Sequence, residues 1–330
     1  ALAGFLGADV ANLVFVTNAT TGVNAILRSV EFHPGDEILT TDHDYNACRN
    51  VLEETARRSG AKVVVAQVPF PLQGEEEIVA AILKSVTPRT RLAMIDHVTS
   101  NTALVYPIER IIHELEALGV DTLVDGAHAP GMLPLELEKL RPAYYTGNLH
   151  KWTCSPKGSA FLWVRPDKQD EIQPAVISHG NNTSRAGHPP FQDRFDWAGT
   201  HDLTAWLCIP AAIDWLRNCL PGGWDALRRH NHSLLLEARQ LICGRFDLAP
   251  PCPENLLGSM ATLPLPGRLA ESEGRFPVDP LYTRLADGYG IEMPIIHFGG
   301  KRWMRISSHL HNSLDEYRYL ADSLEMISLS

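Results

Sequence analysis

The sequence predicts an α/β protein: a mostly parallel sheet with flanking helices, followed by a smaller C-terminal α+β region. Three observations carry that expectation. Up to Val164, short β-branched runs alternate with amphipathic stretches long enough to be helices. Beyond Arg165 the alternation stops, and Gly, Pro, Asn and His crowd residues 174–200. The length of 330 residues suits about two domains, and 45% hydrophobic with 21% charged residues is the composition of a globular chain.

Taken in order, Leu13-Val14-Phe15-Val16 reads as the first strand and Thr17–Thr21 as a polar turn. A helix follows through Val23, Ile26, Leu27 and Val30, apolar at i, i+3, i+4 and i+7. Glu37–Thr40 is a strand, Asn46–Ser59 a helix, Lys62–Ala66 a strand and Glu75–Ser85 a helix whose polar face holds Glu75-Glu76-Glu77. Arg91–Asp96, Asp121–Asp125, Tyr144–Gly147 and Ser159–Val164 read as further strands, with a helix at Ile108–Leu118. Strands joined through helices of this length form βαβ crossovers, hence parallel pairing. Residues 174–200 read as a long functional loop, with His179–His188 on the substrate side. Helices at 203–219 and 223–243, a Pro-rich stretch 248–280 holding strand-like Ser259–Leu263, a further helix, the strand Trp303–Ser307 and a last helix Leu314–Ile327 complete the chain. The expected division is a large domain over 1–202 and a small one over 203–330.

Composition excludes several functions. Lys+Arg 29 against Asp+Glu 39 leaves a net charge of −10, unsuited to a general binder of nucleic acid or anionic membranes. No apolar run reaches the roughly 18 residues of a membrane span. Ala1–Leu6 lacks the basic start and cleavage site of a signal peptide. The 6 cysteines (Cys48, Cys154, Cys208, Cys219, Cys243, Cys252) form no C-x-x-C pair, so reduced thiols in a cytoplasmic protein are expected, with no metal site.

In an open parallel sheet, ligands bind beyond the carboxyl ends of the strands. Those ends carry polar or small residues here: Asn18-Ala19-Thr20-Thr21-Gly22, Asp42-His43-Asp44-Tyr45-Asn46, His97-Val98-Thr99-Ser100-Asn101, Asp125-Gly126-Ala127-His128 and Gly147-Asn148-Leu149-His150-Lys151-Trp152. Hydroxyls and free N–H groups at a helix start suit a phosphate, although Asn18 and Thr20 alone also read as plain helix caps. Asp125 ends the apolar run Thr122-Leu123-Val124, where a carboxylate suffers desolvation unless it meets a cation or strong donors. A pyridinium nitrogen for Asp125, an aldehyde for Lys151 and a phosphate for the hydroxyls would satisfy all three strand ends at once.

These motifs resemble class V aminotransferase-fold enzymes, pyridoxal phosphate-dependent proteins of fold type I. Cys154-Ser155-Pro156-Lys157-Gly158, Gly290-Ile291-Glu292-Met293-Pro294 and Arg305-Ile306-Ser307 are most similar to the isopenicillin N epimerase-like branch. The resemblance implies pyridoxal 5'-phosphate as cofactor. Lys151 matches the lysine that holds it as a Schiff base and moves the Cα proton, and Asp125 the partner of the ring nitrogen. His128 and Ser100 fall where the phenolic oxygen is contacted. Thr20, Thr21, Asn148 and His150 match the phosphate cradle, and Ala198-Gly199-Thr200 the loop that lends a threonine to a neighbouring subunit, implying a homodimer with a shared site. The ring-stacking position lies within Asp42–Asn46, where His43 and Tyr45 both qualify; Tyr45 also suits an acid toward a leaving group. Arg305 matches the arginine that grips the substrate carboxylate; on its own it reads as a surface strand residue.

The implied reaction begins at the Cα of an amino acid joined to the cofactor in place of Lys151. Its expected outcome is epimerisation (racemisation) or C–S bond cleavage, with class V transamination as the alternative. A cofactor-free interaction protein on the same fold is the reading from a different class. Cysteine desulfuration is disfavoured, because Gly290–Pro294 holds no cysteine where those enzymes carry one. Full chains of the family have a further segment ahead of the point matching Ala1, so the 330 residues are expected to be a shortened chain.

Overall fold

The computed structural model describes residues 1–270 and 278–329. Seven strands form the large sheet: β1 (Leu13–Val16), β2 (Glu37–Thr41), β3 (Lys62–Ala66), β4 (Thr90–Asp96), β5 (Asp121–Asp125), β6 (Tyr144–Asn148) and β7 (Ala160–Val164). Their spatial order is β1-β7-β6-β5-β4-β2-β3. Only β7 runs antiparallel, against β1 and β6; every other pairing is parallel. Every residue of β2, β6 and β7 is buried, as expected of strands covered by helices on both faces.

The helix Ala19–Ser29 crosses β6 and β7, and Asn46–Ser59 packs beside it. Gly22 permits that approach: a Cβ there would lie 2.3 Å from Thr146 Oγ1 on β6. Gly126 does the same after β5, where a Cβ would fall 2.3 Å from the Tyr145 ring. Both glycines bring backbone close to the carboxyl edge of the sheet.

A second, antiparallel sheet has the order β8-β10-β9, with β8 at Met260–Pro264, β9 at Ile295–Phe298 and β10 at Lys301–Ser307. The helices Gly223–Phe246 and Leu314–Leu329 pack on each other, the first also on β8. One apolar cluster runs from Leu39, Ile95 and Val124 in the large sheet to Leu263 and Met304 in the small one. Polar links also cross: Thr262 Oγ1 donates to Asn101 O at 2.9 Å, and Val105 N to Leu256 O at 2.8 Å. The small sheet is thereby held over the loops that follow β4.

Some local expectations need correction. The loop 174–200 contains a packed helix, Pro190–Asp196, whose Phe191 and Phe195 are buried. Within His179–His188, Arg185 is tied to Asp193 and Asp196, and the segment lines no part of the cavity around Lys151. The helix expected over 203–219 is two, Thr204–Leu207 and Ile209–Asn218, because Pro210 has no N–H with which to continue the first. Strand β9 was not anticipated, and part of the Pro-rich stretch 248–280 (271–277) lies outside the described residues.

Candidate active site

Polar residues from separate strand ends meet in a cavity of about 560 Å³ at the carboxyl edge of the large sheet. Thr20 and Thr21 reach it from the start of Ala19–Ser29, Tyr45 from the turn before Asn46–Ser59, Asp125 and Ala127 from beyond β5, and Asn148, His150 and Lys151 from β6 and its following turn. A larger cavity, about 730 Å³, opens elsewhere around Arg110 and Lys139. Volume does not choose between them; the chemistry of the walls does.

At one end the helix start is preorganised. Asn18 Oδ1 caps the helix by accepting from Thr21 N at 2.8 Å, and Asn148 Oδ1 accepts from Ala19 N at 2.8 Å. Threonine hydroxyls, the Asn148 amide and the positive end of the helix dipole make this an anion site. His150 stands beside it. Its Nδ1–H donates to Ser159 O at 3.1 Å and burial lowers its pKa, so Nε2 meets an anion as a donor only when the ring takes up a second proton.

The opposite end is acidic. Asp125, 2% exposed, accepts from Ala127 N at 2.9 Å through Oδ1 and from the Cys48 thiol at 3.2 Å through Oδ2. Burial and the Asp125 charge push the Cys48 thiol far above its ordinary value, so it remains a neutral S–H donor. Asp96 sits in register with Asp125 on the adjacent strand, and its Oδ2 has no hydrogen-bond partner among the described residues. Burial, then the Asp125 charge, pushes Asp96 well above the usual carboxylate range.

Between the two ends stands Lys151. Burial pulls its amine down to about 8; Asp125 opposes that fall and the Arg305 charge adds to it. Lys151 Nζ lies 2.9 Å from His128 Nε2, and the Trp152 indole donates to His128 Nδ1 at 3.2 Å. Arg305, carried by β10, donates through Nη1 to both the backbone oxygen and Oγ of Ser100, the latter at 3.2 Å. Its Nε is buried without a partner, and it has no carboxylate partner among the described residues. Burial therefore lowers its pKa.

The expected site residues divide clearly. Thr20, Thr21, Tyr45, Asp125, Asn148, His150 and Lys151 share the cavity, and His128 and Arg305 stand against Lys151. His43 is corrected: it is fully buried, donates from Nε2 to Val68 O at 3.0 Å and accepts at Nδ1 from Thr102 at 2.6 Å. It packs among Phe70, Tyr106 and Phe298, so Tyr45 is the aromatic residue of the pair that reaches the cavity. Ser100 is engaged by Arg305 rather than by His128 or Lys151. Thr200 is exposed and outside the cavity of its own chain. Asn18, Cys48, Asp96 and Trp152 were not singled out as site residues. Cys48 was detectable as the residue three beyond Tyr45, on the first turn of the same helix.

Comparison with known proteins decides the family. The family model described as "Aminotransferase class-V" matches residues 1–245. The chain belongs to the class V aminotransferase family. Isopenicillin N epimerase of Streptomyces clavuligerus is 33% identical over 99% of this chain and 83% of that relative. A putative L-cysteine desulfhydrase of Oryza sativa subsp. japonica is 30% identical over 99% of this chain and 73% of the relative. Among solved structures, a complex of the cystine C-S lyase C-DES with cysteine persulfide superposes with a TM-score of 0.81 at 22% identity, covering 98% of this chain and 84% of that one. The epimerase-like branch is thus the right one, and that structural likeness supports the fold.

The cofactor of this class V protein is pyridoxal phosphate, and the donors present fit it. Asp125 has an N–H and a weak S–H donor and, among the described residues, no bonded cation, which a pyridinium N–H would supply. Thr20, Thr21, Asn148 and His150 suit the phosphate, and Lys151 the aldehyde.

Proposed function

We propose that the chain is a pyridoxal phosphate-dependent enzyme acting at the Cα of an amino acid, as an epimerase (racemase) or a C–S lyase. The observation that carries this reading is the pair Lys151 and Arg305: an amine with a lowered pKa beside a buried guanidinium that has no carboxylate partner among the described residues. An amino acid satisfies both, its carboxylate on Arg305 and its Cα proton within the reach of Lys151.

When bound, pyridoxal phosphate supplies an aldehyde for the amino group and a cationic ring that accepts the electron pair left at Cα. Asp125 holds the proton on the ring nitrogen, keeping that acceptor positive. Lys151, as a free amine, takes the Cα proton; Arg305 fixes the carboxylate and so the face presented to Lys151. Tyr45, at the cavity wall, covers the ring and is placed to give a proton to a leaving sulfur or to Cα. Persulfide-forming desulfuration is not proposed, because Gly290–Pro294 offers no thiol. The exposed Thr200 is read as a donor to the phosphate of a second copy, so a homodimer is expected in sedimentation experiments.

A panel of L- and D-amino acids and cysteine conjugates in deuterated water tests the reading. Deuterium at Cα with inversion identifies an epimerase; pyruvate with a released thiol or persulfide identifies a lyase. A keto acid formed only with stoichiometric amination of the cofactor identifies a transaminase and overturns the proposal. No Cα exchange with any member also overturns it.

A further inference from the structure

His128 is held between two partners that together fix where its proton sits. The Trp152 indole nitrogen has one hydrogen and no lone pair to offer, so it can only donate, and it donates to His128 Nδ1 at 3.2 Å. That nitrogen is bare. His128 is buried beside Lys151 and Arg305, and burial first, then those two charges, hold it well below its ordinary pKa, so the ring is neutral. A neutral imidazole with a bare Nδ1 carries its hydrogen on Nε2, the atom 2.9 Å from Lys151 Nζ. An ammonium at Lys151 would set N–H against N–H; a free amine offers the lone pair this contact needs.

We propose that Trp152 is a positioning residue that sets the tautomer of His128, so that His128 donates its Nε2–H to Lys151 and favours the free-amine form of that lysine. The indole is itself held in place. His309 stacks on it at 6.1 Å with 17° between the rings, and His309 Nε2 donates to Trp152 O at 3.2 Å. The charged and titratable groups around Lys151 are Asp125 from β5, Asp96 from β4, Cys48 from the helix Asn46–Ser59 and Arg305 from β10. The two carboxylates favour the ammonium and Arg305 opposes it, so a hydrogen bond that recognises only the amine shifts a close balance. The value of this device to catalysis rests on Lys151 being the cofactor lysine; the proton positions do not.

If the indole N–H is removed, His128 becomes free to carry its hydrogen on Nδ1 and to accept from an ammonium at Lys151. Exchanging a hydrogen bond to the amine for one to the ammonium is expected to raise the lysine midpoint by about one pH unit. The test uses the full chain freed of cofactor. Limited acylation followed by mass spectrometry gives the pH midpoint at which Lys151 reacts, in wild type, Trp152→Phe, His128→Leu and the double variant.

The Trp152→Phe midpoint is expected about one unit higher, a roughly tenfold loss of reactive amine at a fixed pH below it. In the His128→Leu background, where the side chain neither donates nor accepts, the Trp152 substitution should leave the midpoint unmoved. Equal displacement in both backgrounds means Trp152 acts through packing and overturns the proposal; so does no displacement in either. Should Trp152→Phe not fold, the ¹⁵N shifts of the His128 ring in the wild-type chain decide directly. A bare Nδ1 with a protonated Nε2 supports the proposal, and the reverse defeats it. Failure of pyridoxal phosphate to attach at Lys151 would defeat the functional reading while leaving this result intact.

Discussion

Replacing Lys151 with methionine tests whether its surroundings are built for an amine rather than an ammonium. Burial lowers Lys151 from 10.5 to about 8, a fall worth about 3 kcal/mol. That is the penalty the folded chain carries when Lys151 is charged. Methionine has similar length and no charge, so the penalty disappears. Lys151 is only partly buried, and solvent screening discounts that figure. The chain freed of cofactor should thus gain about 2 kcal/mol at pH 6, read from urea unfolding.

The pH dependence gives the argument its sign. Below pH 8 the folded and unfolded chains both hold the lysine proton, and the full penalty applies. Between about 8 and 10.5 the folded chain releases that proton while the unfolded chain keeps it, so wild type gains stability as pH rises. The advantage of Lys151→Met should shrink across that window and vanish above it. Equal stability at pH 6, or an advantage that does not change with pH, would refute the account of Lys151.

Four further outcomes are expected. Arg305→Gln removes a charge-assisted carboxylate contact worth about 2–3 kcal/mol, so KM for the amino acid should rise about 30- to 150-fold, measured by initial rates. Tyr45→Ala should weaken pyridoxal phosphate binding by equilibrium dialysis with little effect on folding. His43→Ala should do the opposite, losing about 2–4 kcal/mol of stability with its two buried hydrogen bonds. Gly22→Ala drives a methyl toward Thr146 Oγ1, and overpacking of about 1–3 kcal/mol should lower both the melting temperature and the affinity for the cofactor phosphate.

The strands of the large sheet were legible because buried parallel strands are continuous apolar runs bounded by polar turns, as in Thr122–Asp125 and Tyr144–Asn148. Strand β9 escaped because Ile295–Phe298 is short and only partly buried, although Pro294 before it and Gly299-Gly300 after it mark its ends. The helix Pro190–Asp196 escaped because its seven residues sit among Gly, Pro and His, and only the burial of Phe191 and Phe195 shows that it packs. At the site, Lys151, Asp125 and the threonines could be read from strand ends, since a parallel sheet gathers those ends along one edge. His43 and Tyr45 could not be separated that way. They are two residues apart in a turn, and the direction each side chain takes depends on tertiary partners: Thr102 and Val68 for His43, open cavity for Tyr45. The pairing of Asp96 with Asp125 depends on strand order, and the Trp152–His128 contact on where the turns after β5 and β6 meet.

The central claim is that Lys151 is the attachment point of pyridoxal phosphate in a class V enzyme working at Cα. Adding pyridoxal phosphate to the chain, reducing with borohydride and mapping the phosphopyridoxyl group by peptide mass spectrometry tests it most directly. The account predicts a yellow protein before reduction and stoichiometric label on Lys151, abolished in Lys151→Ala. Label on another lysine, or a chain that stays colourless and unlabelled, would contradict it.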